Sequence, residues 1–147
     1  HTVRHSFPTR RSSDLQQLQR LPAFVQRRQQ LAARYLRELE DLPLILPADA
    51  PAGGTHAWHL FVLRLSDAAR VTRDEVIQGL SDAGIGTSVH YVPLHRQPYW
   101  RERYGLRPEQ FPHAERAYQR MISIPLFTAM SDDDQTRVIA ALRALLR

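Results

Sequence analysis

The chain has 147 residues, of which 43% are hydrophobic and 24% are charged, and its formal net charge is +5 at pH 7. This length suffices for one domain with a buried core and is too short for two. No apolar run approaches the roughly 20 residues that cross a bilayer, so we predict no membrane-spanning helix. The chain lacks cysteine, which excludes a disulfide framework and a thiolate metal site and favours a cytoplasmic location.

The basic net charge is a weak argument for nucleic-acid binding. Residues 1 to 14 carry a net charge of +2, so the other 133 residues carry +3. In residues 34 to 41 arginines are interleaved with acidic residues, a pattern typical of a solvated helix face. We therefore predict no nucleic-acid partner. A free-standing interaction or nucleic-acid-binding module stays as the alternative.

Lysine is missing from the chain, so all 20 basic side chains are arginine. The guanidinium group of arginine stays protonated and does not form an imine with an aldehyde. Any mechanism that needs a side-chain primary amine is therefore closed to this chain acting alone.

The first third of the chain predicts a leader, a helix and a linker. Residues 1 to 14 show no helical or strand periodicity, so we predict a disordered or non-native leader. From Leu15 apolar residues recur at three- and four-residue steps, which predicts a helix that ends before Pro43. Pro22 predicts a break or a kink in that helix. The prolines and glycines of residues 42 to 54 predict an extended linker.

Two local signals follow the linker. Residues 58 to 65 form an apolar and aromatic run, which predicts a strand with both faces largely covered. Thr72 and Glu75 have the spacing of a capping box, which predicts a helix from about residue 73 to about residue 83. Gly84 should end that helix as its left-handed cap.

The middle of the chain predicts a strand that ends in a loop. Residues Thr87 to Tyr91 form the strand, and Pro93 ends it because proline has no amide hydrogen for a sheet. A short helix is predicted around residues 99 to 104. Such a loop commonly lines a cleft when it carries aromatic and hydrogen-bonding side chains. His90 and His95 are therefore the best site candidates, although a structural hydrogen bond within the sheet explains His90 equally well.

The C-terminal third predicts two helices around a short apolar segment. Pro112 should start a helix that ends at about residue 121. Residues 122 to 127 are apolar and split by Pro125, so they form an edge strand or an extended segment. Ser131 should cap the last helix. The order of elements predicts a two-layer α+β domain, in which a small sheet has helices on one face.

No metal site is predicted. His56 and His59 are three residues apart, so on a strand they point to opposite faces, and a packed or hydrogen-bonded histidine is the better explanation. Asp132 to Asp134 lie in the first turn of a helix, where acidic side chains complement the helix dipole. The sequence also contains no phosphate-binding loop and no nucleophile elbow.

Five stretches in the same order resemble one known family. They are residues 18–28, 56–64, 73–80, 84–105 and 123–133. Together they are similar to the C-terminal domain of the DegT/DnrJ/EryC1/StrS sugar aminotransferases over residues 15 to 147. Within that family, these stretches most resemble the branch acting on nucleotide-linked 4-keto sugars, such as UDP-4-amino-4-deoxy-L-arabinose–oxoglutarate aminotransferases.

The resemblance implies a fold, a reaction and a cofactor. The fold would be that of the pyridoxal-phosphate-dependent aspartate aminotransferases (type I), normally homodimeric. Residues 15–54 would be the last helix of the large domain with a linker, and residues 55–147 the small domain. The reaction would transfer an amino group from glutamate to a nucleotide-linked keto sugar for polysaccharide, lipopolysaccharide or antibiotic biosynthesis.

The resemblance also implies which residues act. His90, Tyr91 and His95 would face the sugar nucleotide at the domain interface. The lysine that forms the Schiff base in such enzymes has no counterpart here. We therefore expect a C-terminal fragment that has no catalytic residue of its own, binds no pyridoxal phosphate alone and is inactive alone.

Overall fold

A computed structural model describes residues 8–147 and the side chains of residues 14–147. Its first element is a 31-residue helix, α1 (Pro8–Glu38). The helix begins seven residues before Leu15 because the arginines ahead of the apolar pattern are compatible with a helix. It continues through Pro22, so the helix does not break there, and the alternative of a kink at Pro22 stays a prediction. The part of the predicted leader in residues 1–7 lies outside the described residues.

A three-stranded antiparallel sheet lies at the centre of the domain. Its strands are β1 (Leu44–Ile45), β2 (Phe61–Leu65) and β3 (Met121–Ile124), in the order β1-β2-β3. In the register of the central pair, Phe61 lies opposite Ile124. β1 falls inside the segment predicted as a linker, and β3 is an edge strand, as predicted, that ends before Pro125.

Two strand predictions are corrected. β2 begins at Phe61 rather than at residue 58, because Trp58 has a φ of 47° and lies in the left-handed region. Its residues alternate between buried and less buried, so one face of the strand is covered rather than both.

The second correction concerns residues 87 to 91, which form no strand. Only Ser88 pairs with the sheet, through a single bridge to Ser123 of β3. The chain then leaves β3, because the imidazole of His90 and not its backbone is bonded to Ser123. Pro93 has no amide hydrogen with which to resume the pairing.

Four further helices are α2 (Arg73–Asp82), α3 (Pro98–Tyr104), α4 (Pro112–Arg120) and α5 (Asp132–Leu146). The capping box at Thr72 is present as predicted, and Ser131 forms a second one with Asp134. Gly84 follows α2 with a φ of +72°, a conformation that glycine adopts without strain. Short 3-10 helices cover Leu94–Arg96 and Pro108–Gln110.

One hydrophobic core joins the second half of α1, helices α2 and α5, and the covered face of β2 and β3. Tyr35 of α1 is fully buried and its ring lies 5.0 Å from that of Phe61. The Tyr35 hydroxyl donates a hydrogen bond of 3.0 Å to the carbonyl of Pro125, just after β3. Burial raises the pKa of this hydroxyl well above its usual range. α1 is thereby fixed to the end of the sheet that carries the candidate site.

Candidate functional site

A cleft of about 390 Å³ opens where β2 begins and β3 ends. Its polar lining consists of two imidazoles and three hydroxyls, contributed by His59, Thr87, Ser88, His90 and Ser123. The residues that follow β3 supply an apolar wall. Hydrogen-bonding side chains beside an apolar wall suit a ligand with many hydroxyl groups.

His90 is held in this cleft by a side-chain hydrogen bond. Its Nδ1 lies 2.8 Å from the Oγ of Ser123, and Ser123 is itself buried. The backbone of Ser123 is held by two hydrogen bonds to Ser88, of 3.1 and 2.8 Å. The Nε2 of His90 makes no hydrogen bond within the described residues, so it is left for a ligand.

Tyr91 lies next to His90 but outside the lining of the cleft. The two rings meet edge to face, with centroids 4.8 Å apart. Tyr91 is 73% exposed, so its hydroxyl is accessible to a ligand larger than the cleft.

His95 lies in a different environment and does not line the cleft. Its side chain is 3% exposed and stacks on Phe111 with ring centroids 5.0 Å apart. Its Nε2 lies 2.9 Å from the Oε2 of Glu115 on α4. The structure therefore brings His90 and Tyr91 together and separates His95 from them.

Glu115 forms hydrogen bonds with three side chains, which come from two parts of the chain. Besides His95, it accepts hydrogen bonds from the Nε and the Nη2 of Arg96, the Nε bond being 2.8 Å long, and from Gln119 at 2.7 Å. The hydrogen bond from Arg96 and then that from His95 lower the pKa of Glu115 to about 2. Glu115 is therefore ionised at neutral pH, so the Nε2 of His95 donates to it.

Two contributors to these sites were not expected from the sequence. Glu115 gave no signal, because His95 and Arg96 are 20 and 19 residues away along the chain. His59 was expected to be packed or hydrogen-bonded, and it is instead exposed at the mouth of the cleft. His56 does match that expectation, since its Nδ1 accepts a 2.9 Å hydrogen bond from the Trp58 amide.

Two features are absent from the described part of the chain. No group of three or more histidine, aspartate or glutamate side chains in residues 14–147 is arranged to hold a metal ion. None of the helices described above is both long and apolar enough to cross a membrane.

Comparison with known proteins identifies the family. The profile of the DegT/DnrJ/EryC1/StrS aminotransferase family matches residues 13–143. The spore coat polysaccharide biosynthesis protein SpsC of Bacillus subtilis is 41% identical over 135 residues, which are 90% of this chain and 35% of SpsC.

Solved structures similar to this chain include aminotransferases as well. The aminotransferase TlmJ from Streptoalloteichus hindustanus is 35% identical with a TM-score of 0.75, over 87% of this chain and 33% of TlmJ. Spr1654 from Streptococcus pneumoniae, described as a sugar aminotransferase, is 28% identical with a TM-score of 0.82, over 89% and 33%. The chain thus spans about a third of the length of these relatives.

These matches define the fold as the small domain of the pyridoxal-phosphate-dependent aminotransferases, so the predicted α+β class is confirmed. The chain belongs to the DegT/DnrJ/EryC1/StrS aminotransferase family. The resemblance seen in the sequence is thereby confirmed as well.

The residues of this chain do not fit the family's cofactor by themselves. Spr1654 has been solved in forms with pyridoxal phosphate and with its amino form. The chain contains no lysine to form an imine with the aldehyde. The lining of the cleft contains no arginine to bind the phosphate. No residue of this chain is therefore assigned to the cofactor.

Proposed function

We propose that this chain is the substrate-facing small domain of an aminotransferase acting on a nucleotide-linked keto sugar, with glutamate as the amino donor. The family and the name of SpsC, a polysaccharide biosynthesis protein, support this class of substrate. The observation that carries the proposal is the cleft, because His90 lies both in its wall and in residues 84–105, the longest stretch of family resemblance.

His90 and Tyr91 bind the substrate in this proposal. Ser123 fixes the imidazole of His90, so that its free Nε2 can hydrogen-bond a sugar hydroxyl or a diphosphate oxygen. The exposed ring of Tyr91 offers a hydroxyl and an apolar face beside it. For His95 a direct contact stays a prediction. In the structure its ring holds the loop against Glu115.

The complete enzyme in this proposal is a cytoplasmic homodimer. Pyridoxal phosphate supplies it with an aldehyde that carries the amino group, and a lysine outside these 147 residues holds that cofactor. Residues 1–147 alone do not catalyse the transfer, because they offer no amine to the aldehyde.

Substrate binding is tested by titrating the ¹⁵N-labelled chain with UDP-glucose, a nucleotide sugar that contains no keto group to react. We expect saturable shifts at the amides of residues 86–90 and 123–127, and weaker binding after His90→Gln. His56→Gln, which changes an imidazole outside the lining of the cleft, is the matched control and should bind as the wild type does. No shift in these two segments, or an equal loss in both variants, would contradict the proposal.

The proposal that residues 1–147 alone are inactive is tested by assaying the chain with pyridoxal phosphate and glutamate. We expect no 2-oxoglutarate and no aldimine absorbance band. The coding sequence upstream of residue 1 should encode a lysine-containing cofactor domain in the same frame. If it does not, the free-standing interaction module becomes the better explanation.

A further inference from the structure

A second cleft, of about 270 Å³, lies at the opposite end of β2 from the candidate site. One wall is the edge of the sheet and the other is α4. Its lining residues are Ile45, Arg64, Leu65, His113, Arg116, Ala117 and Arg120. Since His59 and Arg64 are five residues apart, the two clefts are separated by about 16 Å of extended chain.

Three guanidinium groups meet at this cleft. His113, Arg116 and Arg120 follow one another at three- and four-residue steps, so α4 presents them on one side. Arg64 projects from the neighbouring strand and is exposed. These cations lie on two different elements, and the fold brings them to the same opening.

The positive charge of the cleft is only partly balanced. Asp67 is paired with Arg116 at 2.5 Å and with Arg120 at 2.6 Å. One carboxylate therefore faces three guanidinium groups, which leaves a local charge of +2. The backbone of Arg64 is paired in the sheet, but its guanidinium makes no hydrogen bond or ion pair with any residue in 14–147. An anion bound here would reduce the repulsion between these like charges.

The part of the cleft beside β1 is apolar. Ile45 is 44% exposed on β1 and lies opposite Arg64 in the sheet. Ala117 of α4 completes this surface. A ligand that fits both parts has a compact anionic group joined to a short carbon body.

We propose that this cleft binds an organic phosphate, a monoester whose dianion lies among Arg64, Arg116 and Arg120 and whose carbon body rests on Ile45. The planar guanidinium matches two phosphate oxygens at once, which makes arginine the usual residue for such recognition. The imidazole of His113 adds one more donor. This site is independent of the function proposed above.

Binding is tested with phenyl phosphate as the probe, by ¹⁵N chemical-shift titration of the chain at neutral pH. Saturable shifts are expected at residues 64–65 and along α4. Arg64→Gln should weaken binding about five- to tenfold, because one charge-assisted hydrogen bond is lost. Arg101→Gln is the matched control, since it removes the same charge from the exposed helix α3 and should leave the affinity unchanged.

One further variant and two further ligands test the charged and the apolar parts of the site separately. Asp67→Asn should strengthen binding, because it releases Arg116 and Arg120 from their present partner. Inorganic phosphate should bind several-fold more weakly than phenyl phosphate, and phenol should cause no shifts at residues 64–65.

Three results would overturn the proposal. Equal weakening in Arg64→Gln and Arg101→Gln would show only general attraction to a basic protein. Equal affinity for inorganic and phenyl phosphate would remove the role of the apolar surface. Shifts that do not saturate at millimolar phenyl phosphate would mean that no specific site exists.

Discussion

Two regions of this domain are held together by different forces. The core region comprises residues 31–85 and 122–146, and the polar region comprises residues 86–121. All 20 buried hydrophobic side chains found in residues 14–147 belong to the core region. In the polar region the buried side chains are His95 and Glu115. The hydrophobic effect thus stabilises one region, whereas one carboxylate organises the other.

The polar region also exposes most of its aromatic side chains. Tyr91, Tyr99 and Tyr104 are each more than 60% exposed, and Trp100 stacks on Tyr104 with ring centroids 5.7 Å apart. These rings contact one another rather than the core. The polar region therefore depends less on the hydrophobic effect than the core region does.

The largest effect is expected from Phe61→Ala in the core region. The side chain of Phe61 is fully buried between Tyr35 and Trp58. Its removal should lower the free energy of unfolding by about 3–5 kcal/mol, through lost burial and a residual cavity. Urea denaturation followed by circular dichroism measures this change. A loss below about 1 kcal/mol would show that the core does not depend on this contact.

The next effect is expected from Glu115→Gln in the polar region. The amide keeps the size of the side chain but loses the charge that binds Arg96 and His95. Hydrogen exchange should become several-fold faster at residues 94–97, with little change in α2 and α5. The matched control Glu109→Gln removes the same charge from an exposed position and should leave exchange at residues 94–97 unchanged. If α2 and α5 opened equally, the two regions would not be separate.

A smaller effect is expected from pH. Because Arg96 and His95 lower the pKa of Glu115 from 4.5 to about 2, the folded chain binds this proton less readily than the unfolded chain. The resulting stabilisation is complete above about pH 4.5 and is lost as pH falls toward 2. Between about pH 5 and about pH 3 the wild type should therefore lose more stability than Glu115→Gln. Parallel urea denaturation series at each pH would reveal identical slopes if this carboxylate were not coupled to folding.

The smallest effect is expected from Tyr104→Ala on α3. The ring is 62% exposed and stacks only on Trp100. The free energy of unfolding should change by less than about 0.5 kcal/mol, as for other surface substitutions. Trp100 fluorescence should change, since its neighbour is removed. A large loss of stability would place α3 in the core region after all.

The features that could be predicted from the sequence are those that local sequence patterns determine. The capping box at Thr72, the cap at Ser131 and the edge strand before Pro125 depend on residues within a few positions of one another. The cleft does not, because it forms only when β2 pairs with β3 and brings His59 near Ser123, 64 residues further on. The predicted strand at residues 87–91 failed for a similar reason, since a side-chain bond from His90 to Ser123 replaced the backbone pairing.

The hydrogen bond from Tyr35 to Pro125 has a mechanical consequence. Pro125 forms part of the wall of the candidate cleft, and Tyr35 belongs to a helix about 46 Å long at 1.5 Å per residue. Because Tyr35 is also fully buried in the core, a substitution that repacks its ring would shift Pro125 as well. The shape of the opening therefore depends on a helix that does not line it.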